Sequence, residues 1–508
     1  MTTPRRSPHS LSGVAAFAVL AGFTLMFFLR SGKGMMDDPG LGWHLAIADR
    51  MWEVGGFLYT DTFSTPSLGK PFVTYSWLGD VLMWLCEKWG GLNAVGVLTS
   101  LTFAVTLQIL FQRMTRAGIP WIAALAWTWL AASAFLPMCL AVPNMFTYLG
   151  IAISVAICEQ FHAGTIDRRG TLWLVPLFLL WTNMHSGFLS GTLVLATTYA
   201  AEAMVGLFAA GDARRAARER LVWWTGLGFV LLLVTLINPN GWHLLQYLVH
   251  TASDPFMQRR TTFGWLPPDF LTTGWGWAEL AVLLFPVLLA LSRHRVSAVA
   301  LALCVVFLHY GLTGMRYTGL WVVIATPTLA SLADATAMAS AAKDWLSRNT
   351  SAGFRAWFAT DRSPAPLLSS FAFAVALLVA SRWLPPISQI GMPTAALDKL
   401  LEVSNGQRVF HDANWGGYLT WYGRKLSPPF ETWIDDRIDV HGQELLVEYR
   451  DILNARYGWD AKLEAERINL VCLPLEAEVV PYLRNDPNWV EVFADQEAVI
   501  FRRRNPLS

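Results

Sequence analysis

From Gly13 to Leu384 the chain is a succession of long apolar runs broken by short polar segments, and beyond about Leu397 the pattern changes to short alternating stretches. An apolar run of about 20 residues crosses the hydrocarbon core of a bilayer. Hydropathy over such windows predicts about eleven spans, at 12–30, 92–111, 121–137, 146–162, 172–184, 187–208, 221–238, 275–292, 297–312, 317–334 and 367–385. The run from Ser12 to Leu29 has no small-residue cleavage site and is followed by Arg30 and Lys33, so it reads as an uncleaved first span. In the tail, Val409–Phe410, Gly417–Tyr422, Phe430–Ile434, Leu470–Leu473, Val490–Phe493 and Ala498–Phe501 predict strands, and Gln443–Ala455 and Ala461–Arg467 predict helices. The expected architecture is an α-helical polytopic membrane body, residues 1–385, followed by a small α/β domain, residues 386–508.

Charge adds sidedness. Only 15% of residues are charged, against about 25% in soluble chains, and a net charge of +1 gives no footing for nucleic acid. Arg5, Arg6, Arg113, Arg116, Arg168, Arg169, Arg214, Arg215, Arg218, Arg220, Arg293, Arg295, Lys343, Arg348, Arg355 and Arg362 fall in one set of connections, mostly short. Fewer basic residues fall in the other set, which includes two long loops, Ser31–Ser76 and Asn238–Gly274. The positive-inside rule then places the N-terminus in the cytoplasm and, with an odd number of spans, the C-terminal domain on the outer, periplasmic side of a bacterial inner membrane. Cys86, Cys139, Cys158, Cys304 and Cys472 have no spacing that suggests a disulfide framework or a zinc site.

The first long loop carries the densest pattern. Asp37 and Asp38 follow the first span, and Pro39-Gly40 breaks the chain. Leu41, Leu45, Ala48 and Trp52 then recur at helical spacing with Asp49, Arg50 and Glu53 opposite, which predicts an amphipathic helix lying along the membrane surface. Gly55-Gly56 ends it. A turn through Pro66 and Gly69 leads to Lys70-Pro71, and a second interfacial helix is predicted from Trp77 to Trp89.

In this order, Asp37-Asp38, Gly55-Gly56, Gly69-Lys70-Pro71-Phe72, Tyr75-Ser76-Trp77-Leu78 and Gly90-Gly91-Leu92-Asn93-Ala94 resemble the first loop of GT-C superfamily membrane glycosyltransferases. The resemblance is to the branch of protein O-mannosyltransferases and the lipid A aminoarabinose transferase, with this chain a diverged bacterial member. It implies a GT-C-like body and transfer of a sugar from a polyprenyl-phosphate carrier to a lipid, glycan or protein acceptor at the periplasmic face, with inversion. It also implies a carboxylate, Asp37 or Asp38, acting as base on the acceptor or holding the acceptor or a divalent cation, and cations such as Lys70 on the carrier phosphate. His44 and Tyr75, in the same loop, are further expected substrate contacts. The chain departs from the branch at Ala141-Val142-Pro143-Asn144-Met145-Phe146, where the relatives carry a second acid and this sequence has none. Either the second carboxylate comes from elsewhere, or the member has diverged, up to loss of transfer.

Other polar residues have two readings each. Asn183 and His185 could line a substrate pocket or bond one helix to another. Arg259 and Arg260, in the second long loop, and Arg316, between two spans, could hold a phosphate, or be surface or snorkelling charges. Asp435, Asp436, Asp439 and His441 are spaced closely enough for a metal, or for salt bridges and turn caps at a strand end. Two functions outside catalysis stay open: a GT-C-like scaffold or lipid-binding component of envelope polysaccharide assembly, and, more remotely, a transporter.

Overall fold

A computed structural model of the chain describes residues 11–30, 34–254, 264, 266–272, 274–293, 295–351, 367–387, 389 and 391–507. The chain packs into two compact units, one of Met1–Leu29, Gly96–Gly241 and Gln258–Leu384, the other of Arg30–Val95, Trp242–Met257 and Pro385–Ser508. The second unit groups the C-terminal segment with the first long loop and the helix Trp242–Ser253.

The first unit is helical. Each predicted span falls on a helix, among them Leu11–Leu29, Trp121–Phe135, Leu174–Met184, Gly211–Thr235, Met315–Asp334 and Leu367–Ala380. Among the described residues, four helices are long and apolar enough to cross a membrane by length and composition: Trp77–Arg116, Trp121–Met138, Met145–His162 and Phe188–Phe208. Val14–Leu29, Gly276–Leu291, Ala298–Thr313 and Leu368–Trp383 are apolar and shorter. Two inner helices, Met145–His162 and Met315–Asp334, are buried on nearly every side.

Small residues set the approach of these helices, as expected where lipid supplies no drive for helix pairing. A Cβ on Gly150 would lie 2.6 Å from the ring of Trp181, and one on Gly191 would lie 2.5 Å from the same ring. Gly319 receives Tyr148 in the same manner, at 2.7 Å. Buried charges at this unit's polar end are paired: Glu202 accepts two bonds from Arg220, each 2.9 Å, and lies 2.7 Å from His162 Nδ1. Arg113 meets Glu159 at 2.5 Å.

In the second unit a five-stranded sheet has the order β2-β1-β3-β5-β4, where β1 is Arg408–His411, β2 Glu431–Thr432, β3 Leu470–Pro474, β4 Trp489–Ala494 and β5 Ala498–Arg503. The strands β2, β1 and β3 run parallel, and β5 is antiparallel to both β3 and β4. Helices Ile438–Leu453 and Trp459–Ala465 lie where the sequence predicts them, and one sheet face packs Phe410, Trp433, Tyr449, Val471 and Phe501 together.

Two expectations are corrected. The segment Gly417–Tyr422, predicted as a strand, lies in the helix Gly416–Gly423. A short run that is buried all round carries no periodicity to separate helix from strand, and here nearly every residue is buried. The helix Gly40–Val54 forms as predicted and ends at Gly55, whose φ of 65° suits glycine. Its apolar stripe, however, is turned into protein. Leu41, Leu45 and Ala48 are each 1% exposed, whereas Trp52 is 75% exposed. The second predicted interfacial helix is the first arm of Trp77–Arg116, set off from the apolar arm by a kink at Gly90 and Gly91.

Candidate functional site in the second unit

The acidic pair stands at the start of the helix Gly40–Val54. Asp38 Oδ1 accepts a 2.8 Å bond from the Gly40 N–H, so the side chain is turned back onto the helix N-terminus, where a negative charge is favoured. One turn on, Trp43 Nε1 donates to Asp436 Oδ1 at 2.8 Å. Asp436 is half-buried. Burial, then the negative charges of Asp38 and Asp435, push its carboxyl well above the usual range, against the bond from Trp43. The charge of Asp38 is thus one of the groups that disfavour ionisation of Asp436.

The neighbouring Asp435 has the opposite environment. It is 1% exposed, and burial alone would raise it. The Arg437 guanidinium and His441 outweigh that and hold its carboxyl far below the usual range. Arg437 bonds both Asp435 oxygens, at 3.0 Å from Nε and 2.6 Å from Nη2, and reaches Asp61 Oδ1 from Nη1 at 2.9 Å. Its guanidinium carbon lies 5.3 Å from the ring centres of Phe63 and Phe72 and 5.9 Å from that of Trp43. A buried guanidinium needs this full satisfaction, because each unpaired charge in such a place costs several kcal/mol.

His441 completes the network. Its Nε2 is 2.9 Å from Asp435 Oδ1 and its Nδ1 is 3.0 Å from Ser67 Oγ. Ser64 Oγ donates to Asp435 Oδ2 at 3.2 Å, Thr65 Oγ1 to the Thr432 carbonyl at 3.2 Å, and Lys70 Nζ to the His441 carbonyl at 3.3 Å. These contacts tie the loop 57–76 to the segment 432–441. Asp435 and His441 serve that structural joint, so the salt-bridge reading accounts for them. Among the described residues no three of His, Cys, Asp and Glu come together as a metal site.

The remaining candidates divide by unit. His44 is 5% exposed, and its Nδ1 lies 2.7 Å from Asp80 Oδ1, whose carboxylate also accepts from Ser76 Oγ. Tyr75 is stacked on Tyr247, with ring centres 6.1 Å apart and planes 15° apart, and the Tyr247 hydroxyl donates to Asp439. Burial first, then Asp439 and Tyr75, push the Tyr247 hydroxyl well above its ordinary range. In the first unit, Asn183 donates to the carbonyls of Leu179 and Ile237 at 2.8 and 2.9 Å, a bond between helices. His185 Nδ1 accepts from the Gly187 N–H at 3.0 Å, so the Thr147 hydroxyl, 2.8 Å away, donates to it as well. Arg316 Nε donates to the Gly264 carbonyl at 3.3 Å. Arg259 and Arg260 lie outside the described residues.

Sequence reading did not anticipate the roles of Trp43, Asp61, Arg437 and Tyr247. Asp436 and Arg437 sit in the run Ile434-Asp435-Asp436-Arg437, where charge in an apolar context was a usable signal. Asp61 offered none, because its partner is 376 residues away.

No protein-family model and no curated protein sequence matches the chain. Solved structures do. The archaeal oligosaccharyltransferase AglB from Archaeoglobus fulgidus, in complex with an inhibitory peptide and a dolichol-phosphate, is similar with a TM-score of 0.55 at 11% identity, over 93% of this chain and 70% of that one. The apo form of the Archaeoglobus fulgidus oligosaccharyltransferase has the same TM-score and identity, over 98% of this chain and 75% of that one. ArnT from Cupriavidus metallidurans in the apo state has a TM-score of 0.55 at 12% identity, over 96% of this chain and 98% of that one. These are GT-C superfamily membrane glycosyltransferases, and the chain shares their fold.

Proposed function

We propose that the chain is a membrane glycosyltransferase that moves a sugar from a polyprenyl-phosphate carrier to a lipid, glycan or protein acceptor. The observation that carries this reading is that the head of the helix Gly40–Val54 holds Asp38 on the Gly40 N–H and Asp436 on Trp43, in a fold shared with transferases along almost its whole length.

In this reading Asp38, with Asp37 beside it in sequence, takes the proton of the acceptor hydroxyl as its oxygen attacks the anomeric carbon. The bond from that carbon to the carrier phosphate breaks, the phosphate leaves with the electron pair, and the anomeric centre inverts. Asp436 supplies the second carboxyl group that the stretch Ala141–Phe146 lacks. Burial and the negative charge of Asp38 raise its pKa, so it resists ionising beside the base. Lys70 uses one donor on the His441 carbonyl and has two more for a phosphate oxygen. His44, bonded to Asp80, fixes the helix that carries Asp38. Tyr75, stacked on Tyr247, offers an aromatic face to an acceptor. The proposed topology has eleven spans, a cytoplasmic N-terminus and a periplasmic C-terminal segment.

The test is transfer by the purified protein from a panel of polyprenyl-phosphate sugars, compared with the Asp38→Asn and Asp37→Asn variants. Release of polyprenyl phosphate by the natural chain and its loss in Asp38→Asn supports the reading. Full activity in the double variant would sink the assignment of the base, and release by no member of the panel would favour the non-catalytic scaffold.

A further inference from the structure

The helix Gly211–Thr235 is two helices by composition. Its first part reads GDARRAARER and its second LVWWTGLGFVLLLVT. The change from charged to apolar places the headgroup level of a bilayer near Arg220. Along one face, at helical spacing, Arg215 and Arg218 are followed by Val222, then Gly226, then Val230. This face lines a groove of about 510 Å³ that begins among guanidinium groups and continues into the apolar half, with Arg168 from the adjoining turn closing its head.

The chemistry of the groove is two-ended. At the head, three arginines face one carboxylate, Glu219, which is 3.3 Å from Arg215 and 3.8 Å from Arg168. The Arg168 guanidinium lies 5.7 Å from the Trp223 ring centre, and Trp223 Nε1 is fixed by a 2.9 Å bond to Thr171 Oγ1. Below the head, a Cβ on Gly226 would meet nothing within 4 Å, so the groove floor is open. Val222 and Val230 are 68% and 42% exposed.

We propose that this groove binds an acidic glycerophospholipid. Its phosphate sits among Arg168, Arg215 and Arg218, which present planar donors suited to phosphate oxygens, and an acyl chain runs along Val222, Gly226 and Val230. Snorkelling accounts for cations at a membrane surface, but not for an open channel running from those cations into the apolar zone. A free phosphate would use the head and leave the channel unfilled. The groove lies wholly within the first unit and is independent of the proposed transfer chemistry.

The experiment is native mass spectrometry of the full chain, delipidated in detergent and titrated with phosphatidylglycerol, phosphatidylcholine or inorganic phosphate. Phosphatidylglycerol should be retained in preference to phosphatidylcholine. Affinity should fall roughly fivefold for each arginine removed in the series Arg168→Gln, Arg215→Gln and Arg218→Gln. Gly226→Leu, which fills the channel and keeps every charge, should also weaken phosphatidylglycerol binding, and it keeps the test open if the arginine variants fail to fold. Equal retention of the two lipids, unchanged binding in Gly226→Leu, or displacement of phosphatidylglycerol by millimolar inorganic phosphate would overturn the proposal.

Discussion

Gly42 and Gly417 face each other backbone to backbone: a Cβ built on Gly42 would fall inside the Gly417 carbonyl, and one on Gly417 would fall inside the Pro39 carbonyl. At this point the helix carrying Trp43 and His44 meets the helix Gly416–Gly423 backbone to backbone. Gly416 is pressed in the same way against the Ile434 carbonyl, so one short helix is clamped between the first loop and the segment that carries Asp435 and Asp436.

Gly42→Ala and Gly417→Ala should therefore each destabilise the second unit. Forcing a methyl into a packed contact costs about 1–3 kcal/mol, and the clashing atoms are backbone, which cannot swing away. Gly228→Ala, at a helix position where a Cβ meets nothing within 4 Å, is the control and should be neutral. Thermal melts followed by tryptophan fluorescence in detergent would decide, and equal melting temperatures for all three variants would contradict the contact.

Arg437→Met should cost more than any single carboxylate replacement. It leaves Asp435 and Asp61 buried with no guanidinium, and breaking a buried pair from one side costs about 3–5 kcal/mol. Arg437→Lys should rescue little, because one ammonium cannot bond Asp435 and Asp61 in the geometry of the planar fork. Chemical denaturation of the four proteins (natural, Arg437→Met, Arg437→Lys and Asp61→Asn) would rank them. Near-native stability of Arg437→Lys would show that only the charge is used.

Stability of the second unit should fall as the solution is acidified. His411 is fully buried. Its Nε2 accepts from the Trp433 N–H at 3.1 Å, and its Nδ1 donates to the Asp412 carbonyl at 2.9 Å. Burial lowers its pKa, against the raising effects of the Asp412 carbonyl and carboxylate. A depressed pKa means that stability is present above the unfolded value, about 6.5, and is lost as pH falls towards and through the folded value. Asp435, also depressed, adds a second loss below about pH 4. Melting temperature measured from pH 8 to pH 5 should drop, and the drop should shrink in His411→Gln. A flat profile in the natural chain would count against a neutral buried imidazole.

Asp436 and Asp38 should respond differently to amide substitution. Asp38→Asn removes the proposed base, and transfer should fall by at least about 100-fold, the lower end of what general base catalysis contributes. Asp436→Asn keeps the acceptor for Trp43 and removes a charge that Asp38 opposes, so transfer should fall far less than in Asp38→Asn. Because the folded Asp436 pKa is raised, its ionisation with rising pH would add charge beside Asp38, and Asp436→Asn should remove that limb of the pH–rate profile. Identical profiles in the natural and Asp436→Asn chains would separate Asp436 from the reaction.

Much of the first unit was legible in the sequence, since an apolar run carries its own solution: in lipid it must satisfy its backbone within itself as a helix. The helix Gly40–Val54, its stop at Gly55 and the kink at Gly90-Gly91 were also local, set by periodicity and by glycine conformation. The acidic pair Asp37-Asp38 and the order of motifs after it pointed to the fold shared with AglB and ArnT. Tertiary structure alone decided what those residues touch. Trp43 to Asp436 spans 393 positions and Arg437 to Asp61 spans 376, and no pattern of hydrophobic and polar positions encodes a partner at that distance. It also decided that Gly416–Gly423 is a helix and that the stripe Leu41, Leu45 and Ala48 meets protein. An apolar surface specifies burial without specifying against what, and the choice falls to whichever partner fits closely enough to exclude everything else.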